Sequence, residues 1–342
     1  SRDTEGATKP DTIMPGLSGN DTITTTSTRA SDNSIVTLEG NDTITTTTVD
    51  GKNVICAGDG NNIITTTVTG TGGNFVGMGN GNDTMTTTNV DGDNMIMAGD
   101  GNNTITTTTT GIGNTKVVSG TGNDTIITTN VGGGSSTILS GAGNDTVSTG
   151  AGADLVVSGA GNDTVTTTGG DDIVLSGAGN DTVSSGEGDD IILSAAGNDI
   201  IAAAAGDDII FSGSGNDRIN AAAGADIIDS GSGDDIIWLG TGDGDKDVVI
   251  FGSTATANGS DAITQFTSGT DKLNLDAMTT QTETTAVNGS NLTVTAGNVY
   301  FLSTNVATAA STTALSATAL EGGANWTNAN VGDVAFFIVS AT

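Results

Sequence analysis

From Asp145 onward a carboxylate recurs every nine residues: Asp145, Asp154, Asp163, Asp172, Asp181, Asp190, Asp199, Asp208, Asp217, Asp226 and Asp235. An aliphatic residue follows each by two positions, from Val147 to Ile237, and a glycine precedes each by two, from Gly143 to Gly233. Glycine turns expose main-chain carbonyls to the same gap that the carboxylates face, so the donor set is oxygen throughout. That set suits a hard cation. Calcium is favoured over magnesium because it accepts about six to eight oxygens in loose geometry. The chain contains no histidine, which removes the commonest general base and the commonest zinc ligand. Paired carboxylates such as Asp171-Asp172 could imitate an acid–base dyad, but their place in the repeat reads as ligand or turn. With no Ser–His pair and no His–Glu metal motif, an enzyme is not expected.

These carboxylates need elements that hold them at a fixed spacing. Each nine-residue unit reads as a glycine-rich turn and a short strand. The aliphatic residue points inward and its neighbours point out. Two units close one coil of 18 residues, and coils stack as parallel strands about 4.8 Å apart. Aspartates of alternate units then fall into two columns. Before Asp145 the same turn recurs at 20 or 21 residues, at Asp21, Asp42, Asn62, Asp83, Asn103 and Asp124. Two ladders of inward residues accompany it. One runs Ile23, Ile44, Ile64, Met85, Ile105, Ile126 and Val147; the other runs Met14, Ile35, Ile55, Val76, Ile96, Val117 and Ile138. The extra residues sit opposite the turn, in loops such as Val49-Asp50-Gly51-Lys52, which lack the aspartate pattern. One column of metal sites is expected in this half and two in the next. Asn62 and Asn103 are read as weaker oxygen donors.

Units such as Gly141-Ala142-Gly143-Asn144-Asp145-Thr146-Val147 resemble the nonapeptide of the RTX (repeats-in-toxin) family. The resemblance is strong over 141–239 and weakens where alanine replaces glycine, at Ala195, Ala204 and Ala222. It implies an all-β fold, a parallel β-solenoid of the β-roll type. It also implies calcium held between turns one coil apart, secretion through a type I channel, and folding on meeting extracellular calcium. All seventeen turn positions, Asp21 to Asp235, are candidate ligands, for roughly 10–15 calcium ions. Such a load would offset most of the formal charge of -32. The acidity is therefore read as ligand, and it speaks against nucleic acid and anionic membrane surfaces. No stretch is long enough for a membrane span.

Each N-terminal turn is followed by a threonine run, as in Thr24-Thr25-Thr26 and Thr45-Thr46-Thr47. With Ile23 inward, Thr22, Thr24 and Thr26 point out and Thr25 points in. Strand propensity accounts for such ladders; a lateral contact between subunits, or an array similar to the faces of ice-binding solenoids, are the alternatives. Asn-Asp-Thr triplets match the glycosylation sequon, but the asparagine belongs to the turn.

The period breaks after Gly240, where Asp243, Asp245 and Asp247 are candidates for a last cation. The expected organisation is an N-terminal tail (1–12), a solenoid with longer coils (13–144), a β-roll (145–242) and a C-terminal cap with a secretion region (243–342). Within the cap, strands are expected over 288–302, a short helix over 312–321, a final strand near 334–342, and a small core around Trp326, Phe336 and Phe337. Residues 1–10 are polar and show no cap. The first rung, near Met14, is therefore expected to offer an open edge that templates association. The reading that follows is a secreted, calcium-binding structural protein. It folds on calcium and self-assembles, through an edge or a lateral face, into an extracellular layer, sheath or filament. An adhesin-like module, with a cell-surface glycan as partner, an ice-binding module, and the RTX segment of a secreted enzyme are the alternatives.

Overall fold

The computed structural model describes residues 18–28, 32–240, 244–252, 258–259, 261–266 and 270–274, with the backbone of strands at 2–5, 11–15, 285–287, 292–293, 299–302 and 336–339. The chain divides into two units, 1–190 and 191–342. Each is a stretch of parallel β-solenoid in which successive strands alternate between two sheets, called A and B. In the first unit sheet A runs from Arg2–Glu5 through Thr22–Thr26 and Thr43–Thr48 to Thr182–Glu187, and sheet B from Asp11–Pro15 through Asp32–Val36 to Ile173–Ala178. In the second unit sheet A contains Ile200–Ala205, Arg218–Ala223, Ile236–Trp238 and Ala262–Thr264. Sheet B contains Ile191–Leu193, Ile209–Phe211, Ile227–Asp229, Val248–Ile250 and Lys272–Asn274.

The register matches the repeat residue for residue. Ile23 stands beside Ile44, Ile44 beside Ile64, and Val147 beside Val165. Side chains of one column therefore fall on their own copies. Ile35, Ile44, Ile55, Ile64, Met85, Ile96, Ile105, Ile126 and Ile138 are fully enclosed. One aliphatic side chain per strand is thus enough core, because burial comes from the coils above and below. Thr25, Thr46, Thr66, Thr87, Thr107 and Thr128 point inward as expected. The Met14 side chain lies outside the described residues, although its backbone pairs with that of Ile35.

The two ends differ from the expectation. Arg2–Glu5, read as tail, is a parallel strand in register with Thr22–Thr25. The solenoid also runs past Gly242. Val248–Ile250 pairs with Ile227–Asp229, Ala262–Thr264 with Ile236–Trp238, and Lys272–Asn274 with Val248–Ile250. The spacing changes there only because residues are inserted between strands, while Val249 and Ile263 stay buried in the ladder. Leu292–Thr293 then pairs antiparallel with Ala262–Ile263, and a separate sheet joins Thr285–Val287, Val299–Leu302 and Phe336–Val339. The expected helix at 312–321, Asp243, and the side chains of Trp326, Phe336 and Phe337 lie outside the described residues.

Turn geometry explains the glycines. Gly143, Gly161 and Gly179 have φ of 141°, 140° and 138°, in the left-handed half of backbone space that side chains disfavour. Ala195, Ala204 and Ala222 occupy glycine positions yet keep φ of 75°, 82° and 76°. Holding a Cβ there costs about 1–2 kcal/mol per residue. Restoring glycine gives part of that back to unfolded-chain entropy. Ala195→Gly, Ala204→Gly and Ala222→Gly should each raise stability by about 0.5–1 kcal/mol, read as a shifted urea midpoint at unchanged slope.

Candidate calcium-binding turns

Every turn aspartate faces inward and is almost fully enclosed. Each spends one oxygen on its neighbour. Asp42 Oδ1 accepts the Asp21 N–H at 2.8 Å, Asp83 Oδ1 the Asn62 N–H at 2.7 Å, and Asp163 Oδ1 the Asp145 N–H at 2.8 Å. The second column repeats the pattern, with Asp172 Oδ1 accepting the Asp154 N–H at 2.8 Å. In the second unit Asp217 and Asp235 accept from Asp199 and Asp217, both at 2.8 Å.

The other carboxylate oxygen is the informative one. Oδ2 of Asp42, Asp83, Asp145, Asp154, Asp163, Asp172, Asp217, Asp235 and Asp261 is buried with no hydrogen-bond partner. Burying a carboxylate oxygen in this way costs several kcal/mol unless a donor or a cation meets it. Asp124 differs, because the Ser119 hydroxyl donates to its Oδ2 at 2.5 Å. Among the described residues no three acidic, histidine or cysteine side chains converge on one point. A cation must therefore take several ligands from main-chain carbonyls, as a glycine turn permits. The donor set is carboxylate and carbonyl oxygen alone, and it fits calcium.

Burial also moves the titration. It raises Asp83, Asp163, Asp172 and Asp235 to about 6, while hydrogen bonds from neighbouring groups pull the other way. Asp261 rises to about 8, through burial first and then the Asp235 charge. A carboxyl whose pKa is higher folded than unfolded binds protons on folding, so the calcium-free fold is favoured at low pH. That contribution is complete below the unfolded value near 3.8 and is lost as pH rises through about 6. In chelator, β-structure followed by circular dichroism should increase from pH 7.5 to pH 4.5. With saturating calcium the change should be small or reversed, since protons then compete with the ion.

The columns continue past Asp235. Asp247, expected as a cation ligand in an acidic cluster, and Asp261 and Asp271, which were not foreseen, take the same position. Their Oδ1 atoms accept N–H groups of Asp226, Asp235 and Asp247 at 3.0, 3.1 and 3.3 Å. The Asp-x-aliphatic triplets at 247–249, 261–263 and 271–273 were the available signal once the glycines were disregarded. Asp245 is exposed. The corner read as lacking a pattern holds a buried column of Asn33, Asn53, Asn74, Asn94, Thr115 and Ser136. Each of these stands two residues before an inward aliphatic one, as the aspartates do. Asn62 and Asn103 occupy their predicted places, but with different chemistry. The Asn62 Oδ1 accepts the Asp42 N–H at 3.0 Å, and its Nδ2 donates to the carbonyls of Gly58 and Gly60, both at 3.1 Å.

A parallel β-solenoid whose turns present buried, unmatched carboxylate oxygens beside carbonyls belongs to the class of calcium-binding β-rolls. The model of a family described as RTX calcium-binding nonapeptide repeat matches residues 27–64, 88–107, 131–165, 166–201, 184–219, 202–237 and 211–245. The chain belongs to this RTX family, and its repeats bind multiple calcium ions. Comparison with curated proteins gives no match.

Proposed function

We propose that this is a secreted structural protein that folds on calcium and assembles with its own copies outside the cell, with the column aspartates as ligands. The observation that carries the reading is the outer face of sheet B. In the first unit two columns of outward residues run in register along it. One runs Val54, Phe75, Met95, Lys116, Thr137, Leu155 and Ile173, and the other Val36, Cys56, Gly77, Met97, Val118, Leu139 and Val157. Val36, Val54, Met95, Met97, Leu139 and Ile173 are exposed.

Two columns over some eight coils make a strip of roughly 400–500 Å², apolar except where Lys116 and Thr137 interrupt one column. Two such strips face to face bury roughly 800–1,000 Å², near the lower limit for a specific contact, so stable association needs repetition along an array. The occupant is a second copy. The chain repels its like through a charge of -32, but this flat strip has Lys116 as the one charge in its two columns and can pack against itself as sheets do. Calcium removes the remaining repulsion by neutralising the turns. Secretion through a type I channel follows the family's habit, and no catalytic role is assigned. Among the described residues no helix is long and apolar enough to cross a membrane.

Purified protein should form filaments or sheets in negative stain when calcium is added and disperse with chelator. Leu139→Lys combined with Ile173→Lys should abolish assembly while the circular dichroism with calcium is unchanged. Monodisperse rods at every concentration would overturn the reading.

The opposite face supports a second one. Thr24, Thr45, Thr65, Thr86 and Thr106 form one outward column, and Thr26, Thr47, Thr67, Thr88 and Thr108 another, all in register. Such a flat hydroxyl array could order water against ice or hold a glycan. Inhibition of ice recrystallisation, or retention on a glycan surface, by monomeric protein would favour that binding module.

A further inference from the structure

At Asn62 and Asn103 an amide nitrogen stands where the aspartates of the column have their second oxygen. In Asp83 the atom beyond Oδ1 is an oxygen, buried and unmatched. In Asn62 the atom beyond Oδ1 is an amide nitrogen that donates to Gly58 and Gly60 carbonyls of its own turn. Asn103 repeats this, with Nδ2 donating to Gly101 O at 2.9 Å and Gly99 O at 3.4 Å. The amide orientation is fixed by the backbone, because Oδ1 must accept the N–H of Asp42 or Asp83, and an N–H can only donate. Calcium would meet an N–H₂ group in these turns, so Asn62 and Asn103 do not fit a metal ligand. The carboxylate is displaced rather than lost. Asp59 and Asp100 lie three residues earlier, exposed, and accept the Asn80 and Thr121 N–H groups at 2.7 and 2.8 Å.

The second corner of the same coils is closed in the same way. Asn33 Nδ2 donates to Asn53 Oδ1, Asn53 to Asn74, and Asn74 to Asn94, each at 2.8 Å. Asn74 and Asn94 also contact Thr87, Asn89 and Thr109. An amide both donates and accepts, so a stacked column satisfies itself with no ion and no net charge. Over 32–136 the inward carboxylates are Asp42, Asp83 and Asp124, and Asp124 already receives the Ser119 hydroxyl. Over 145–190 every turn at both corners carries one.

We propose that residues 32–136 form a largely calcium-independent segment, closed by amide and hydroxyl side chains. This segment supplies a preformed edge on which the calcium-dependent coils of residues 145–190 stack. The inference rests on the family's calcium binding and not on self-assembly.

The test is hydrogen exchange, read by mass spectrometry, on the full chain at pH 7.5 with excess chelator. Strands at 53–56, 74–77 and 94–99 should stay protected, while those at 155–160 and 173–178 exchange fast. Calcium at 100 times its dissociation constant should slow the latter by about 100-fold and the former by much less. Uniform loss of protection, or uniform retention, would overturn the proposal. Native mass spectrometry gives a second readout. Asn62→Asp and Asn103→Asp should each increase bound calcium by one, and Asn74→Ala should remove the chelator-resistant protection at 53–99. An unchanged calcium count in both Asn→Asp variants would show that these turns already hold ions and would sink the idea.

Discussion

Gly161→Val should unfold the coils around it. Gly161 has φ of 140°, and a Cβ there would overlap the carbonyl oxygen and carbon of Gly143 on the preceding coil. Both obstructing atoms are main chain, and the coil spacing is held by ladder hydrogen bonds, such as Gly143 N–H to Ala160 O at 2.8 Å. No rotamer change relieves the overlap, so the coils must separate where the calcium turn sits. The expected loss is about 3 kcal/mol or more, together with weaker calcium binding, read by denaturant titration and calorimetry. Gly133 gives the control. Its φ is 80°, but a Cβ there meets nothing within 4 Å. Gly133→Ala should cost only the backbone strain, about 1–2 kcal/mol, with calcium binding intact. Equal effects at the two glycines would mean that close approach of coils is not what the turn glycines serve.

Asp163→Ala and Asp163→Asn should differ in sign when calcium is absent. Asp163 Oδ1 accepts the buried Asp145 N–H, and alanine leaves that donor unmatched at a cost of about 1–3 kcal/mol. It also forfeits the ion, worth about 2.7 kcal/mol at 100 times its dissociation constant. Asparagine keeps the acceptor and places an amide where Asn62 has one, so it forfeits only the ion. In chelator, Asp163→Asn should be more stable than the parent protein, because a buried carboxylate with one unmatched oxygen has become a satisfied amide. In saturating calcium the order should reverse, with the parent first, asparagine second and alanine last. Urea titrations of the three proteins with and without calcium decide it. An order independent of calcium would show that Asp163 is not a ligand.

These variants also mark how far the sequence could be read. The nine-residue spacing and the Asp-x-aliphatic triplets led directly to stacked columns of aspartates, inward Ile and Val ladders and outward threonines. Each is a local alternation that a strand imposes on any sequence. The Asn33–Ser136 column was missed because asparagine is a common loop residue and signals a site only when stacked on its copies. Asp261 and Asp271, and the place of Asp247 in the column, were missed because inserted residues destroy a period in sequence without displacing a strand in space.

By itself the sequence determined the repeat, the turn positions, the oxygen donor chemistry and hence the calcium-binding β-roll, since all of these follow from residue type and spacing within one coil. The tertiary structure alone decided which side-chain oxygen accepts an N–H one coil away, and so which atom is left facing the carbonyls of its own turn. That contact separates a turn closed by an amide from one that needs an ion. Asp83 and Asn62 differ by one atom at the same place, and only the stack shows that it is a donor in one and an unmatched oxygen in the other.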